Sequence, residues 1–327
     1  MAYDNIITRT DAEALMPEEY SREIIESLPE QSAIMQLGTR APNMSRKQRR
    51  IPVLASLPMA YFVDGEAPNG GLKQTTKMAW ANKYLEAEEL AVIVPIPEAV
   101  LDDAAYDIWE QVRPRIVEAL GVKFDRAVLF GEEAPATWPK SILEGATDAG
   151  HVRALGTGAD IYEDILGEDG VIALVEEDGF MVSGHLASLG MRAKLRGLRD
   201  ANGQPIFKPI TAEGVQGSTR YELDGEPMVF PRNGAILNDD DAIMFTGAWN
   251  QLIYAIRQDI TYKVLDQAVI TDADNNIVYN LAQNDMVALR VVMRIAWQIP
   301  NPINRIQPNE AARYPFAVLT PAVGGGD

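Results

Sequence analysis

The stretch "GFMVSGHLASLGMRAKLRGLRDANGQPIF", residues 179–207, decides how the chain folds. It reads as a short apolar strand, "GFMVS", then a helical run, "HLASLGMRAKLRGLRD", then a turn over Asn202-Gly203 into extended chain anchored by Pro205 and Pro209. Leu195 and Leu198 stand three apart and share a helical face, while Arg196 and Arg199 reach outward. Asn-Gly is a strong turn signal because both residues accept positive φ at low cost. From Lys194 to Pro209 no residue type suggests chemistry, so the element is one that gives shape.

The 327-residue chain around it is long enough for two or three domains and a large core. With 29 Lys and Arg against 47 Asp and Glu, the net charge is −18. That balance argues against a protein that coats nucleic acid and favours solubility at high concentration. With no cysteine, disulfides, thiolate nucleophiles and Cys-ligated metals are excluded. No basic start followed by an apolar run marks a signal peptide, and no apolar run is long enough to span a membrane. The expectation is a soluble protein made in the cytoplasm.

Toward the N-terminus, "PEEYSREIIESL" (17–28) predicts a short helix with Ile24, Ile25 and Leu28 on one face, and "EQSAIMQLG" (30–38) another, separated by Pro29. "RAPNMSRKQRR" (40–50) gathers Arg40, Arg46, Lys47, Arg49 and Arg50 into the one strong basic cluster of an acidic chain. Residues 1–50 thus read as a polar, weakly packed arm. The runs "IPVLASLPMAYFV" (51–63) and "KYLEAEELAVIVPIP" (83–97) flank a polar, glycine-rich tip, "DGEAPNGGLKQTTKM" (64–78). They predict a long hairpin whose tip has no core of its own and needs something to lie on. Ile108, Val112, Ile116, Leu120, Phe124 and Val128 recur every four residues, predicting a long amphipathic helix that ends at Gly131 and is kinked or split at Pro114. Residues 132–225 read as mixed α/β, with a helix near "IYEDILGEDGVIALVEEDG" (161–179). The runs "QLIYAIRQDITYKVL" (251–265) and "DMVALRVVMRIAWQI" (285–299) read as long strands, the second half-buried because Leu289, Val291, Met293, Ile295 and Trp297 alternate with Arg290, Val292 and Arg294.

A search for catalytic or ligand sites returns little. His151 and His185 are the only histidines, and neither has partners at metal-ligand spacing. Ser183 and His185 are too close in sequence to supply a triad, and no G-x-S-x-G elbow exists. "GTGADI" (156–161) begins like a dinucleotide loop but has Ile161 at the third glycine position, so it reads as a connector. Asp272, Asp274 and Asn276 have calcium-loop spacing, yet Ile277 replaces the glycine and Gln283 the final glutamate, so a β-turn is the better reading. The groups Glu88-Glu89, Glu132-Glu133, Glu176-Glu177-Asp178 and Asp239-Asp240-Asp241 sit at element boundaries as solvated caps, with nothing to pair any two for acid/base work. The basic cluster either touches DNA phosphates or pairs with the acidic surface of a neighbouring copy, and the charge of −18 per copy favours the second.

The order of elements resembles that of the tailed-phage major capsid proteins, whose fold is shared with encapsulin shells and the herpesvirus capsid floor. "FVDGEAP" (62–68) followed by "KYLEAEELAVIVPIPEAVLDDAAYDIWEQV" (83–112) looks like that family's flap, or E-loop, returning into its spine helix. "ALGVKFDRAVLFG" (119–131) looks like the end of that helix, with the acidic Asp125 in it. Residues 179–207 look like the strand, helix and turn of the axial domain, and "AIMFTGAWNQLIYAIRQDITYKVL" (242–265) like a peripheral-domain strand.

The resemblance implies an α+β fold with an N-terminal arm over 1–50 and an extended flap over 51–97. It implies a peripheral domain over 98–131 and 226–298, containing the spine helix, and an axial domain over 132–225 and 299–327. It further implies a non-enzymatic subunit, without cofactor or metal, that assembles into hexamers and pentamers of an icosahedral shell holding double-stranded DNA non-specifically. The shell belongs to the virion, is assembled in the host bacterial cytoplasm, and has portal, scaffold and decoration proteins as candidate partners and no membrane. Inter-subunit contacts are expected at Arg46, Lys47, Arg49 and Arg50 in the arm, at Asp64, Glu66, Lys73 and Lys77 in the flap, and at Arg196, Arg199, Asn202 and Gly203 in the axial element. No cleaved scaffolding region of the kind some relatives carry is expected. Lys73 and Lys77, with Asn301 and Asn304, offer residue types some relatives use to weld subunits, without a matching motif. The alternatives are an encapsulin-type compartment shell and, from another class, an acidic hydrolase using a carboxylate pair.

Overall fold

The computed structural model of the protein describes residues 32–60, 62, 73, 75–99, 108–198, 207, 209–211, 219–238, 240–272 and 274–322. The predicted helix at 17–28, the tip residues Asp64 and Glu66, and the turn residues Arg199, Asn202 and Gly203 lie outside them.

The described chain opens with a one-turn helix, α1 (Ala33–Leu37), capped by the Ser32 side chain, and a short strand, β1 (Thr39–Arg40). Two strands follow, β2 (Gln48–Ser56) and β3 (Ala79–Glu86), which among the described residues pair only with each other, and then β4 (Glu88–Pro97). The run predicted as one flap strand over 83–97 is therefore two strands parted at Ala87. The first half stays in the hairpin, and the second pairs antiparallel with a strand near the C-terminus. Alternation cannot reveal such a break, because both halves are apolar on alternate positions.

The long helix α2 (Ile108–Phe130) is closed by Gly131 in the left-handed conformation, φ +78°, which glycine adopts without a Cβ clash. Pro114 does not split the helix, which runs through as one element with Pro114 exposed. Ile116, Leu120, Phe124 and Val128 are buried as predicted, while the Ile108 side chain lies outside the described residues.

Beyond it come α3 (Ile142–Ala149), begun by a Ser141/Glu144 capping box, β5 (Val152–Ala154), α4 (Ile161–Leu166) and α5 (Val171–Glu177). The single helix predicted over 161–179 is thus two, divided at Gly167 and Gly170. Next are β6 (Gly184–Ala187) and α6 (Leu189–Gly197). The strand predicted at 179–183 lies downstream of that range, at 184–187, and "HLA", predicted as helix, belongs to it as part of β6. These residues are completely buried in a sheet, and the Ser188 side chain caps the helix only after them. Leu198 has left helical geometry at ψ 130°, so it does not share a helical face with Leu195.

The remaining strands are β7 (Pro209–Thr211), β8 (Thr219–Leu223), β9 (Glu226–Val229), β10 (Met244–Gly247), β11 (Ile253–Leu265), β12 (Val269–Thr271), β13 (Ile277–Asn280), β14 (Met286–Gln298) and β15 (Phe316–Thr320). A seven-stranded sheet runs β5-β15-β10-β6-β9-β8-β7, and a four-stranded sheet runs β1-β11-β14-β4. Two separate hairpins, β2-β3 and β12-β13, complete the pairing.

The central strands of the seven-stranded sheet, β15, β10 and β6, are buried on both faces, and the period of two sorts their residues cleanly. Leu186, Phe245, Phe316 and Val318 join a core with α2, α1 and the inner face of β14, while Ala187, Met244, Ala317 and Leu319 join a second core with α4, α5 and α6. The half-buried reading of β14 needs correction, since Val292 and Ala296 on its second face are also buried. Ala296 is covered by Met44, Leu85 and Ala87, a third apolar cluster supplied by the arm and the base of the β2–β3 hairpin.

Candidate functional site: the assembly surfaces

Directly opposed residues of β2 and β3 share a face, so the hairpin has two distinct sides. One carries Leu85 and Val53 inward. The other presents Arg50 opposite Tyr84, Pro52 opposite Asn82, and Leu54 opposite Trp80. Trp80 is 64% and Tyr84 43% exposed, and Met78 is also exposed, so an aromatic and basic stripe faces outward with no covering element among the described residues. Exposed aromatics at this density are typical of a contact surface.

The basic cluster is divided. Lys47 pairs with Glu88 at 2.9 Å, and this bond, with a second from Thr137, holds the Glu88 carboxyl below its ordinary range. Arg49 donates to the Pro42 carbonyl at 3.0 Å. Arg46 and Arg50 point into solvent, as do Lys73 and Lys77. Arg196 is exposed in the last turn of α6, far in sequence from the arm. Among the described residues, the predicted contact positions are thus spread over the arm, the β2–β3 hairpin and α6.

The arm is fixed where it enters the body. Asp125, on the apolar stripe of α2 and completely buried, accepts from the Ser32 hydroxyl at 2.6 Å and from the backbone N–H groups of Ala33 at 2.9 Å and Ile34 at 3.2 Å. Burial pushes its carboxyl up to about 7, against the three donors that favour the charge. The far end of α2 is held by Arg126, which reaches Glu132, Asp240 and the Gly234 carbonyl and lies over the Phe130 ring.

The positions that invited a catalytic reading are structural. The amides of Gly156 and Gly158, in the loop that begins like a dinucleotide motif, donate to the Asp164 carboxylate at 2.6 and 2.7 Å, joined by Arg153. Burial opposes that charge, but these donors outweigh it and hold the group below its usual range. Asp178 bonds His151 at 3.1 Å and the Tyr314 amide at 2.7 Å. His185 lies in mid-sheet between Thr246 and the Leu223 carbonyl, and burial lowers its pKa to about 4. Asp272 closes the β12–β13 turn through the amides of Asp274 and Asn276. Glu89 is tied to Arg294, and Glu133 to Lys123. A cleft of about 710 Å³ is lined by Asp148 and Glu310, but these carboxylates pair with Lys140 and Lys83, and the latter bond holds Glu310 low, unsuited to a general acid. Among the described residues no group of His, Asp and Glu is placed to hold a metal, and no helix is long and apolar enough to cross a membrane.

The Asn301 side-chain amide donates to the Arg313 carbonyl, and that of Asn304 to the Asp178 carbonyl at 2.6 Å. Both oxygens are occupied as well, by Arg313 Nε and by the amides of Ile306 and Gln307. Neither asparagine presents a free side chain for a covalent link to lysine.

Two closed cores, an unpaired hairpin with an apolar outer stripe and a carboxylate that fixes an arm make a subunit shaped for contact. A family model described as "Phage capsid family" matches residues 12–307. The chain belongs to the phage capsid family. Among its relatives is the "Major capsid protein" of Staphylococcus phage 80alpha, 28% identical over 298 residues, which cover 90% of this chain and 85% of the relative. Among solved structures, a chain from Mycobacterium phage Adephagia is 34% identical with a TM-score of 0.75, covering 98% of this chain and all of the other. One from Microbacterium phage Oxtober96 is 35% identical with a TM-score of 0.74, covering 89% and 91%. As a phage capsid protein, the chain is a structural component of the virion with the α+β capsid fold expected from its sequence.

Sequence reasoning missed the arm's anchor. Its signal was present: Asp125 follows Leu120 and Phe124 and precedes Val128 on a stripe where a carboxylate has no solvent, so a buried partner was required.

Proposed function

We propose that this chain is the major capsid subunit of a tailed phage, building hexamers and pentamers of an icosahedral head that encloses double-stranded DNA. The observation that carries the reading is the outer face of the β2–β3 hairpin, where Trp80, Tyr84 and Met78 lie exposed on a chain whose cores are otherwise closed. A hairpin of this kind is stabilised by lying across a neighbouring copy. In this reading it is the flap, α2 is the spine helix, the four-stranded sheet belongs to the peripheral domain and the seven-stranded sheet to the axial domain. Arg46 and Arg50 meet acidic surface on adjacent copies, and the same acidic surface limits adhesion to packaged DNA. The subunit acts by geometry and has no catalytic step. Assembly takes place in the host bacterial cytoplasm, with portal, scaffold and decoration proteins as the partners a head requires.

The test is expression of the full chain, alone and with a scaffold protein, followed by electron microscopy and size-exclusion chromatography. Closed shells, tubes or sheets of hexamers are expected. A monodisperse monomer under both conditions would overturn the reading. A shell purified with an enzyme cargo in place of nucleic acid would make it an encapsulin-type compartment.

A further inference from the structure

The hairpin is held to the body in two ways. Near its base, Leu85 packs with Met44, Ala87, Ala255 and Ala296. Farther out the attachments among the described residues are polar: Gln298 at the end of β14 donates to the Tyr84 carbonyl at 3.0 Å, and the others come from one irregular segment, residues 301–313, between β14 and β15. The Ile303 amide donates to the Leu54 carbonyl at 3.3 Å, Arg305 donates to the Pro58 carbonyl at 2.7 Å, and Glu310 pairs with Lys83 at 2.7 Å. Both strands of the hairpin are therefore touched by the same segment, and the 710 Å³ cleft lies between the hairpin base, that segment and α3.

A segment without helix or strand is ordinarily soft, but this one is closed on itself. Arg313, only 2% exposed, donates from Nε to the Asn301 side chain at 3.0 Å, from Nη2 to the Asn301 carbonyl at 3.0 Å and from Nη1 to the Gln307 carbonyl at 2.8 Å. Asn301 returns a bond to the Arg313 carbonyl and takes a positive φ of 47° to do so. Asn304 and the Tyr314 amide bolt the segment to Asp178, which His151 holds in turn. The planar guanidinium fork suits this task because its donors are fixed in one plane and meet both ends of the loop at once.

We propose that residues 301–313 are a strut that sets the angle of the β2–β3 hairpin, with Arg313 as the residue that stiffens it and Arg305 and Glu310 as its contacts. The inference rests on the reading of the hairpin as the surface that meets a neighbouring copy, and it names what regulates that surface. The apolar base acts as a pivot and the solvent-exposed polar contacts as a prop, so the hairpin angle can change by exchanging a few weak bonds while both cores stay intact. A shell whose subunits occupy unequal positions requires this division.

The experiment uses the full chain as unassembled subunit, with Lys83→Glu, the exchanged pair Lys83→Glu/Glu310→Lys, and Arg305→Gln/Glu310→Gln. Hydrogen exchange is read at the amides of β2 and β3 and, as an internal control, at β6, β10 and β15. The single variant and the glutamine double are expected to speed exchange in the outer hairpin about three- to fivefold, the scale of an exposed ion pair. The control strands should be unchanged and the exchanged pair should return to wild-type protection. Hairpin protection equal to wild type in all variants would overturn the strut. Loss of protection in the control strands as well would also overturn it, since the segment would then be part of the core. Exchange reads the strut without assembly. A wild-type chain that never forms particles would count against the capsid reading, and wild-type shells with an insensitive hairpin against the strut alone.

Discussion

The seven-stranded sheet and the β2–β3 hairpin are both rich in apolar and aromatic side chains, yet only the sheet is complete within one chain. Phe245, Phe316, Met244 and Leu319 each contact helices or strands of their own subunit and are fully buried. Trp80 and Tyr84 stand on a strand with nothing over them among the described residues, where the hairpin they belong to pairs with no other strand. A fold of this kind separates the residues that make the subunit stable from those that make it associate. Substitutions in the two regions should therefore act on different measurements.

The largest effect on the subunit itself is expected in the sheet. Phe245→Ala leaves a cavity between α2 and the sheet and should cost about 3–5 kcal/mol, read as a lower urea midpoint at unchanged slope. Asp125→Ala comes next: it strands the Ser32 hydroxyl and two amides and should cost about 2–3 kcal/mol, with protease sensitivity appearing first near residue 32.

The same carboxyl predicts a pH dependence. Its folded pKa is raised to about 7, from an ordinary 3.8, so the folded state binds the extra proton. The stability this contributes is present below about 4, is lost as pH rises to about 7, and is flat above. The difference in unfolding free energy between wild type and Asp125→Asn should fall across that window. His185 acts with the opposite sign. Its folded pKa is lowered to about 4, so its contribution is present above about 6.5 and lost as pH falls. The two slopes oppose each other in the wild type, and urea titrations of Asp125→Asn and His185→Gln at several pH values separate them. A smaller effect is expected from Arg126→Met, about 1–2 kcal/mol, because the bonds to Glu132 and Asp240 lie partly in solvent. The smallest is expected in the hairpin, where Trp80→Ser and Tyr84→Ser should each change subunit stability by less than about 0.5 kcal/mol.

How much of this was legible depended on how local each cause is. β11 was visible because apolar alternation persists over thirteen residues, and the end of α2 because Gly131 follows a stripe of four-residue spacing. The second buried face of β14 was not, because Met44 and Leu85, which cover Ala296, lie some two hundred residues away in sequence and nothing near the strand announces them. The break at Ala87 was hidden for a related reason: each half of the run satisfies the strand pattern, and only partner choice divides them. Asp164 looked like an ordinary acidic residue because a carboxylate's burial depends on the donors that converge on it, whereas Asp125 at least had apolar neighbours one turn away on either side. The basic cluster was plain in the sequence, but its division into Lys47, paired with Glu88, and Arg46 and Arg50, exposed and without an ion pair among the described residues, required Glu88 to be in place.

The most direct test of the division between a self-sufficient body and an outward hairpin is one paired measurement on the Trp80→Ser/Tyr84→Ser double variant: thermal unfolding of the subunit and electron microscopy of its assemblies. The account predicts a melting transition matching wild type together with loss of the shells, tubes or sheets that wild type forms. Particles indistinguishable from wild type would contradict it, as would a variant that no longer folds.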